Sequence, residues 1–365
     1  MPVAWKPEAG SVIRSQSTYS TERVLGQRWR VWLFSGVCLL SVAFAVSYVF
    51  LTARDIETDA ERAAREPSAP TDALARITAG PHLLFLQSDG DTYRRVALTG
   101  LESGGEVLLT PLQCQRVHQV AGRGLCLGKS PSGGAYIFDD TFERLHDIDI
   151  NGLPSRARVS PNGRLGAITV FVQGHSYADG AFSTRTAIVD MISGDFIFDD
   201  LEDLTVIRDG RRFEAIDFNF WGVTFAPDAN TFYATLGTGG NTYLLQGDLA
   251  RREARILSSN VECPSLSPDG KRLVFKKRIT RGLLNVEWRL HVLDLTTMTE
   301  TPLAETRNVD DQVEWLDNDH VLYYLPDEGP PATIRPDVWV ASVNGTEPPR
   351  QLWTRALSPV VVNGR

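Results

Sequence analysis

The stretch Leu266–Phe275 reads LSPDGKRLVF and carries the pattern that decides the fold. An apolar residue is followed by Ser-Pro-Asp-Gly and then by a second apolar run. Asp-Gly pairs supply the positive-φ backbone conformations that a tight hairpin turn requires. The stretch therefore predicts two antiparallel β-strands joined by a tight turn.

The chain repeats this hairpin in related segments that read VSPNGRLGAI, FAPDANTFYA, WLDNDHVLY and, in a degenerate copy, VHQVAGRGLCL. A third short apolar run follows each hairpin. The apolar residues that open the copies are Val117, Val159, Phe225, Leu266 and Trp315, at intervals of 42, 66, 41 and 49 residues. A period of about 40–50 residues with four short strands per unit is typical of propeller blades. The predicted structural turn residues are Pro161, Asn162, Gly163, Pro227, Asp228, Pro268, Asp269 and Gly270.

A sixth unit is assembled from the two ends of the repeat region. His82–Leu86 and Tyr93–Leu98 look like two strands that lack an innermost partner, and Ser358–Val362 can supply it. A ring closed by strands from both ends has no free inner edge in that blade. The sequence therefore predicts an all-β fold, a six-bladed β-propeller of four-stranded blades, preceded by one transmembrane helix.

An uncharged run of 21 residues, VWLFSGVCLLSVAFAVSYVFL, occupies residues 31–51. At 1.5 Å per residue it covers the roughly 30 Å of a bilayer core. Arg28 and Arg30 precede it, and Asp55 and Glu57 follow it, so the positive-inside rule predicts a single-pass cell-membrane protein with a cytoplasmic N-terminus and an extracytoplasmic C-terminal domain. The alternative is a cleaved signal peptide, which fits less well because the leader is long and its A-x-A pattern lies inside the apolar run.

These features divide the chain into four predicted segments: a cytoplasmic leader (1–30), a transmembrane helix (31–51), a charged, Ala-rich stalk (52–79) and the propeller (80–365). The leader carries a net charge of +3 against −8 for the whole chain, so the remainder carries −11. An acidic domain repels phosphate backbones, and we therefore expect no nucleic-acid partner.

No catalytic, cofactor or metal motif accompanies the repeats. The sequence contains no G-x-S-x-G elbow, no H-E-x-x-H and no C-x-x-C. We interpret the acid-rich stretches Asp89-Gly90-Asp91 and Asp310–Asp319 as turns and a solvated face rather than a calcium loop. The prediction is a non-enzymatic protein without a cofactor.

Two cysteines fall on the same face of their hairpin. By strand alternation, Cys114 and Cys126 point away from the side that holds Leu125 and Leu127. In an oxidising compartment they form a disulfide, and the alternative is two buried thiols. Cys263 is then a lone buried thiol.

The unit that opens at Val159 is about 20 residues longer than its neighbours. Much of the excess is the loop Gly174–Arg185, GHSYADGAFSTR. Aromatic and arginine side chains favour binding surfaces, so the loop is a candidate partner-binding site, and the alternative is a loop that packs on its own blade. The candidate residues are His175, Tyr177, Phe182 and Arg185. A second insertion, Asp200–Arg212, predicts a long hairpin.

The repeated hairpins, fullest at Ser267-Pro268-Asp269-Gly270, resemble the WD-like repeats of TolB-like propellers over residues 80–365. Cys114–Leu127, Gly174–Arg185 and Ser358-Pro359-Val360 make the chain similar to the membrane-anchored actinobacterial "TolB-like translocation protein" group. The resemblance implies a six-bladed propeller and a role linked to translocation or envelope integrity. Gram-negative TolB proteins are soluble and carry an N-terminal α/β domain, which the apolar run and stalk replace here, so their partners are not carried over.

Three functions are compatible with these features. The first is a non-enzymatic binding or scaffold module of the cell envelope, with an unidentified envelope protein or glycan as its partner. The second is an enzyme that acts in the central funnel on an envelope saccharide or peptide, which would need a cluster of titratable groups there. The third is a sensor that signals through the span to the leader. The sequence favours the first.

Overall fold

The computed structural model describes residues 29–30, 32–49, 67–88, 90–102, 104–128, 134–172, 183–279, 286–326 and 336–364. The chain divides into two compact units, Met1–Glu61 and Arg62–Arg365. The described part of the first unit is a helix, α1 (Trp32–Val49). α1 is long and apolar enough to cross a membrane. A signal sequence near an N-terminus has the same length and composition.

The second unit contains a short helix, α2 (Thr71–Thr78), and six separate β-sheets, each one blade of a ring. The strands are β1 (His82–Gln87), β2 (Arg95–Gly100) and β3 (Leu108–Gln113) in blade 1; β4 (Arg116–Val120), β5 (Arg123–Leu127), β6 (Ala135–Asp139) and β7 (Arg144–Ile148) in blade 2; β8 (Leu153–Val159), β9 (Leu165–Val172), β10 (Ser183–Asp190) and β11 (Phe196–Phe198) in blade 3; β12 (Thr205–Arg208), β13 (Arg211–Phe213), β14 (Asn219–Phe225), β15 (Thr231–Thr238), β16 (Asn241–Asp248) and β17 (Glu253–Ser259) in blade 4; β18 (Glu262–Leu266), β19 (Arg272–Arg278), β20 (Trp288–Asp294) and β21 (Glu300–Pro302) in blade 5; β22 (Glu314–Trp315), β23 (His320–Pro326), β24 (Pro336–Ser342) and β25 (Arg350–Trp353) in blade 6; and β26 (Ala356–Val362), which returns to blade 1. The predicted six-bladed propeller is confirmed.

Blade 1 is completed by the last strand of the chain. β26 pairs antiparallel with β1, so that His82 lies opposite Val362 and Leu84 opposite Val360. β1 continues to β2 and β3 in the same sheet. The predicted closure by strands from both ends is therefore present.

The repeated turns share one hydrogen-bond arrangement. In blade 5 the Gly270 N–H donates to the Ser267 carbonyl at 2.8 Å, and the Asp269 carboxylate accepts from the Lys271 N–H at 3.1 Å. Asn162 takes the place of this aspartate in blade 3, where Gly163 has a φ of +70°. In blades 4 and 6, Asp228 and Asp317 likewise accept from backbone N–H groups that the turn leaves unpaired, whereas the turn of blade 2 is Ala121-Gly122.

Apolar side chains fill the spaces between neighbouring blades in six buried clusters. Because each blade has a neighbour on both sides, its middle strands are buried on both faces. Leu125 packs toward blade 3, whereas Cys126, next to it, packs toward blade 1. A disulfide joins Cys126 to Cys114, with 5.5 Å between their Cα atoms, and Cys263 is free and buried. The alternation deduced from sequence holds, but both of its faces belong to the core.

The second insertion forms a hairpin that widens blade 4. β12 pairs antiparallel with β13 and parallel with the outer strand β17. This adds two strands to the four of the repeat, and the parallel pairing covers an edge that would otherwise offer free backbone groups.

Helix α2 packs on blade 1. Leu74 is buried against the cluster between blades 1 and 2, and the Ala69 N–H donates to the Leu109 carbonyl at 2.8 Å. The segment predicted as a stalk, residues 52–79, therefore ends in residues that are fixed to the propeller.

We expect Ala229→Gly to stabilise the protein. Ala229 has a φ of +58° at the turn position where blades 3 and 5 carry glycine. The left-handed conformation costs an L-residue about 1–2 kcal/mol, and part of that gain is offset by loss of a half-buried methyl group. The free energy of unfolding of the full-length protein in detergent, from denaturant titration, should rise by about 0.5 kcal/mol.

Gly270→Ala is the matched control, because its φ is +70° and no atom lies within 4 Å of the added Cβ. It should lower the free energy of unfolding by about 1 kcal/mol. A lower free energy of unfolding for Ala229→Gly would show that the positive φ at residue 229 does not limit the stability of the protein.

Candidate functional site at the centre of the ring

Charged side chains line the axis of the propeller. Side chains two residues apart on a strand share a face, so β4 and β8 each present a pair to the channel. The charged residues of this channel cluster are Arg116, His118, Arg156, Arg158, Glu262, Lys276, Arg278, Asp310, Asp311 and Glu314. A cluster of titratable groups is what a funnel site would require.

An ion pair crosses the axis. Arg158 of blade 3 donates from Nη1 to the Glu314 carboxylate of blade 6, the opposite blade in a six-membered ring. Its Nη2 donates to the Val313 carbonyl at 3.1 Å. From the same segment, the Gln312 amide donates to the carbonyls of Val223 at 3.1 Å and Pro264 at 2.9 Å. These bonds tie blades 3, 4, 5 and 6 together and close the channel at this level.

His118 supports the pair in its neutral form. Its Nδ1 accepts from the Val159 N–H at 3.1 Å, and its Nε2 lies 3.0 Å from Arg158 Nη1 and 3.5 Å from the Glu314 carboxylate. Burial and the nearby Arg158 lower the pKa of His118. Burial alone would raise the pKa of Glu314, but Arg158 and His118 hold it below its ordinary value.

Two arginines and one carboxyl lie beside this closure. Arg116 Nε and Arg156 Nη1 both donate to the Ser155 carbonyl, at 2.7 and 2.8 Å. The Asp311 carboxylate accepts from the backbone N–H groups of Gln312 at 2.8 Å and of Tyr324 at 3.4 Å. Burial raises the pKa of Asp311. The cavity between these groups holds about 30 Å³, the space of one water molecule.

A second set of paired charges lies on blade 5. Lys276, which is 3% exposed, contacts the Asp310 carboxylate and lies 4.6 Å from the centre of the Trp288 ring. Arg278 donates to Glu262 at 3.1 Å. Burial would lower the pKa of Lys276, but the Cys263 side chain and the Asp310 carboxylate raise it. The ammonium group is therefore held in its charged form.

Part of the acid-rich stretch Asp310–Asp319 differs from its sequence interpretation. Asp317 lies in a turn, where it accepts from backbone N–H groups, as predicted. Asp311 and Glu314, in contrast, are buried at the axis, because the connection into blade 6 passes through the channel. The signal available in the sequence was the spacing of charges on the inner strands, Arg116-x-His118 and Arg156-x-Arg158. In the other stretch, Gly90 begins a 3-10 turn and Asp89 lies outside the described residues.

The predicted binding loop is described only at its end. His175, Tyr177 and Phe182 lie outside the described residues. β10 begins at Ser183, earlier than the sequence indicated, so Arg185 is a strand residue. It pairs with the Asp199 carboxylate, lies 5.6 Å from the centre of the Phe196 ring and does not join the channel cluster.

The residues that the structure describes include no group of three or more His, Cys, Asp or Glu side chains suited to hold a metal ion. Glu314, Asp310 and Glu262 are instead paired with Arg158, Lys276 and Arg278, and Asp311 accepts from backbone N–H groups. Among the described residues, the channel cluster therefore contains ion pairs and guanidinium N–H groups that can still donate hydrogen bonds.

Solved structures are similar to this chain in fold. A crystal structure of TolB from Acinetobacter baumannii has 15% sequence identity and a TM-score of 0.54, over 78% of this chain and 67% of that one. A chain in the crystal structure of a nidogen/laminin complex has 14% identity and a TM-score of 0.52, over 77% of this chain and 98% of that one. No protein-family model and no curated protein matches the sequence. The fold is a TolB-like six-bladed propeller, and the narrower resemblance to an actinobacterial group stays a prediction.

We expect Arg158→Met to destabilise the protein strongly. The substitution keeps much of the apolar stem but leaves the Glu314 carboxylate buried without its cation. Breaking one partner of a buried pair costs about 3–5 kcal/mol, whereas replacing both is often neutral. Denaturant titration should show a loss of about 3 kcal/mol for Arg158→Met and recovery of most of it in Arg158→Met/Glu314→Leu. Equal losses in the two variants would contradict this.

The pH dependence of the free energy of unfolding provides a control for this prediction. The pKa of Glu314 is lower in the folded protein than its ordinary value of 4.5, so its contribution to stability is complete above pH 4.5 and declines as the pH falls through the folded pKa. Glu314→Gln lacks this contribution. On acidification below pH 4.5, Glu314→Gln should therefore lose less stability than the wild type.

Proposed function

We propose that the chain is a membrane-anchored, extracytoplasmic propeller that acts as a non-enzymatic binding module of the cell envelope. The observation that carries this proposal is the closed centre of the ring. Arg158 and Glu314 form an ion pair across the axis, and the cavity beside them holds about 30 Å³. A partner then binds the face of the ring rather than entering it.

The state of the channel groups supports binding over catalysis. His118 has Nδ1 occupied by a backbone N–H, so that atom does not serve as a general base. Glu314 is held ionised by Arg158, and Lys276 is held charged by Asp310. Groups locked in mutual pairs position the blades and present charge, but they do not exchange protons easily.

The binding face is the one where the inner strands begin. Leu153, the first residue of β8, lies opposite Phe171 near the end of β9, and their exposed fractions are 61% and 39%. β9 ends at Val172 and β10 begins at Ser183 on this face, and the predicted loop Gly174–Arg185 spans the sequence between them. Exposed apolar residues beside a charged mouth form the anchor and rim that protein interfaces combine.

The fold comparison is consistent with this use of a propeller. The crystal structure of the nidogen/laminin complex contains a chain of similar fold within a complex of proteins. That likeness concerns architecture, and the partner here is proposed as an unidentified envelope protein or glycan.

Anchoring by α1 and an outward-facing ring agree with three independent features. α1 has the length and composition of a span. The charges on its two sides follow the positive-inside rule. The disulfide between Cys114 and Cys126 belongs to an oxidising compartment.

We expect a periplasm-active reporter fused after Arg365 to be active, and the full-length band to remain with the membrane fraction. Blotting of membrane and secreted fractions measures both. A shortened, secreted band would show that α1 is a cleaved signal sequence. An inactive reporter would place the propeller in the cytoplasm and remove the proposal.

Photo-crosslinking in whole cells tests whether the partner binds the face where the inner strands begin. A photoreactive residue replaces Leu153, and the matched control replaces Ile192, which is 48% exposed on the turn between β10 and β11 at the opposite face of the same blade. We expect crosslinked products from position 153 and few from position 192. The opposite pattern, or none from either, would contradict a partner at this face.

Asp311 favours one second function. It is a buried carboxyl with a raised pKa close to Arg116 and Arg156, a combination found at catalytic sites. If the crosslinked partner is recovered unchanged, the binding module stands. If the wild type converts it and Asp311→Asn does not, the protein is an enzyme that works at the channel mouth.

A further inference from the structure

Two arginines of the channel cluster have no carboxylate partner. The three cations of the cluster that form ion pairs with its acids are Arg158, Lys276 and Arg278. Arg116 and Arg156 form no ion pair with any residue that the structure describes. The interior of the ring therefore holds two positive charges that no carboxylate contacts directly.

The two guanidinium groups lie side by side. Arg116 is the first residue of β4 in blade 2, and Arg156 lies on β8 in blade 3. Arg116 Nε and Arg156 Nη1 donate to the same carbonyl, that of Ser155, at 2.7 and 2.8 Å. Burial and the charge of Arg156 both lower the pKa of Arg116. Because like charges repel strongly where the dielectric constant is low, an anion between the two groups would stabilise both.

Both guanidinium groups keep N–H donors that can reach a ligand. Arg116 uses Nε and Nη1 on the carbonyls of Ser155 and Gln115, and Arg156 uses Nη1 on Ser155. The Nη2 atom of each arginine has no acceptor among the described residues, and neither Nη2 is fully buried. Arg156 Nε, in contrast, is buried and is not part of the site. Both arginines border the cavity of about 30 Å³, so their Nη2 groups are available to a molecule in it.

Asp311 borders the same cavity but does not neutralise the two arginines. Its carboxylate accepts from the backbone N–H groups of Gln312 and Tyr324, and burial raises its pKa. The single negative charge that it can carry is smaller than the charge of Arg116 and Arg156 together. The ion pair across the axis is neutral as a unit. The cavity therefore has a net positive charge whether Asp311 is ionised or not.

A bulge in the closing strand forms another part of the cavity wall. The register of β26 against β1 shifts between Leu84 and Leu86, and Ser358 has a φ of +51° at this irregularity. Ser358 and Pro359 border the cavity. A residue other than glycine in this conformation is costly, and such residues cluster at binding sites. Ser358 also contributes a hydroxyl group, which can donate a hydrogen bond to an anion.

We propose that this cavity binds a carboxylate group between Arg116 and Arg156. The two oxygens of a carboxylate can accept from the two Nη2 groups, and guanidinium groups match carboxylates in charge and in planar geometry. The cavity is small, so the ligand enters it with a single carboxylate head. The source is either a free small carboxylate or an acidic side chain of a protein partner, and both present the same chemistry.

The inference deepens the proposed function, and only the second source rests on it. An acidic side chain of a partner reaches the cavity only if the partner binds as proposed above. A free carboxylate needs no partner, so the purified protein tests the site by itself.

The test uses the full-length protein in detergent with its arginines isotopically labelled at Cζ. Acetate, its neutral analogue acetamide and chloride are titrated at constant pH while the Cζ resonances are followed by NMR. We expect saturable shifts of the Arg116 and Arg156 resonances with acetate. Acetamide lacks the charge and chloride lacks the second oxygen, so each should bind at least tenfold more weakly.

Arg156→Gln should weaken acetate binding about tenfold, the effect of losing one charge-assisted hydrogen bond. The matched control is Arg164→Gln, which removes the same charge from an exposed turn of the same blade, outside the cavity wall. This control should bind acetate as the wild type does. Equal affinities of the wild type and a folded Arg156→Gln variant would contradict the proposal.

The crosslinking experiment at position 153 separates the two sources. If the carboxylate belongs to the partner, crosslinked products should decrease in an Arg156→Gln background and persist in an Arg164→Gln background. If they persist in both while acetate binding is lost in Arg156→Gln, the ligand is a free carboxylate.

No saturable shift with acetate would overturn the proposal, whatever the crosslinking shows. Equal affinities for acetate and for acetamide or chloride would also overturn it. Acetate binding without any crosslinks from position 153 would instead contradict the proposed partner face and leave the carboxylate site in place. The comparison of ligands needs no variant, so it remains decisive even if Arg156→Gln does not fold.

Discussion

The structure depends on the pairing of β26 with β1. Each blade packs against two neighbours, so the apolar clusters between blades are complete only when the ring is closed. Blade 1 holds the seam, since its inner strand comes from the end of the chain and its other strands from the start of the repeats. Without β26, the inner edge of β1 would be unpaired and the surfaces of blades 2 and 6 would lose part of their cover. Closure is thus a condition for the other five blades to keep their packing.

The centre of the ring meets a second constraint. Inner strands have one edge that faces the axis, and its carbonyl groups require donors because little water fits there. Long polar side chains meet this need: Arg158 reaches Val313, Gln312 reaches Val223 and Pro264, and Arg116 reaches Ser155. Glu314 then neutralises the guanidinium that this arrangement places in the interior. The channel cluster is therefore structural in the first place, and charge at its mouth is available for recognition as a consequence.

The repeat pattern was enough to predict the fold, because the turn sequence and its period of about 40–50 residues are local features. The turn residues and the second hairpin follow from such local signals, and the seam follows from the need to complete the one unit that lacks an inner strand. The candidate site does not. The position of Asp311 and Glu314 at the axis results from contacts between blades that are far apart in the sequence, and a run of acids reads equally well as a solvated turn.

Helix α2 protects the seam between β1 and β26 against tension along the chain. The chain enters blade 1 through α2, and His82 of β1 lies opposite Val362 of β26, so a pull on β1 from its start would open the seam one hydrogen bond at a time. α2 is fixed to the ring before that point, by Leu74 in the core and by the bond from Ala69 to Leu109. Tension that arrives along the preceding chain is therefore borne by the docked helix and blade 1 before it reaches β1. α2 therefore protects the pairing of β1 with β26, on which closure of the ring depends, from this tension.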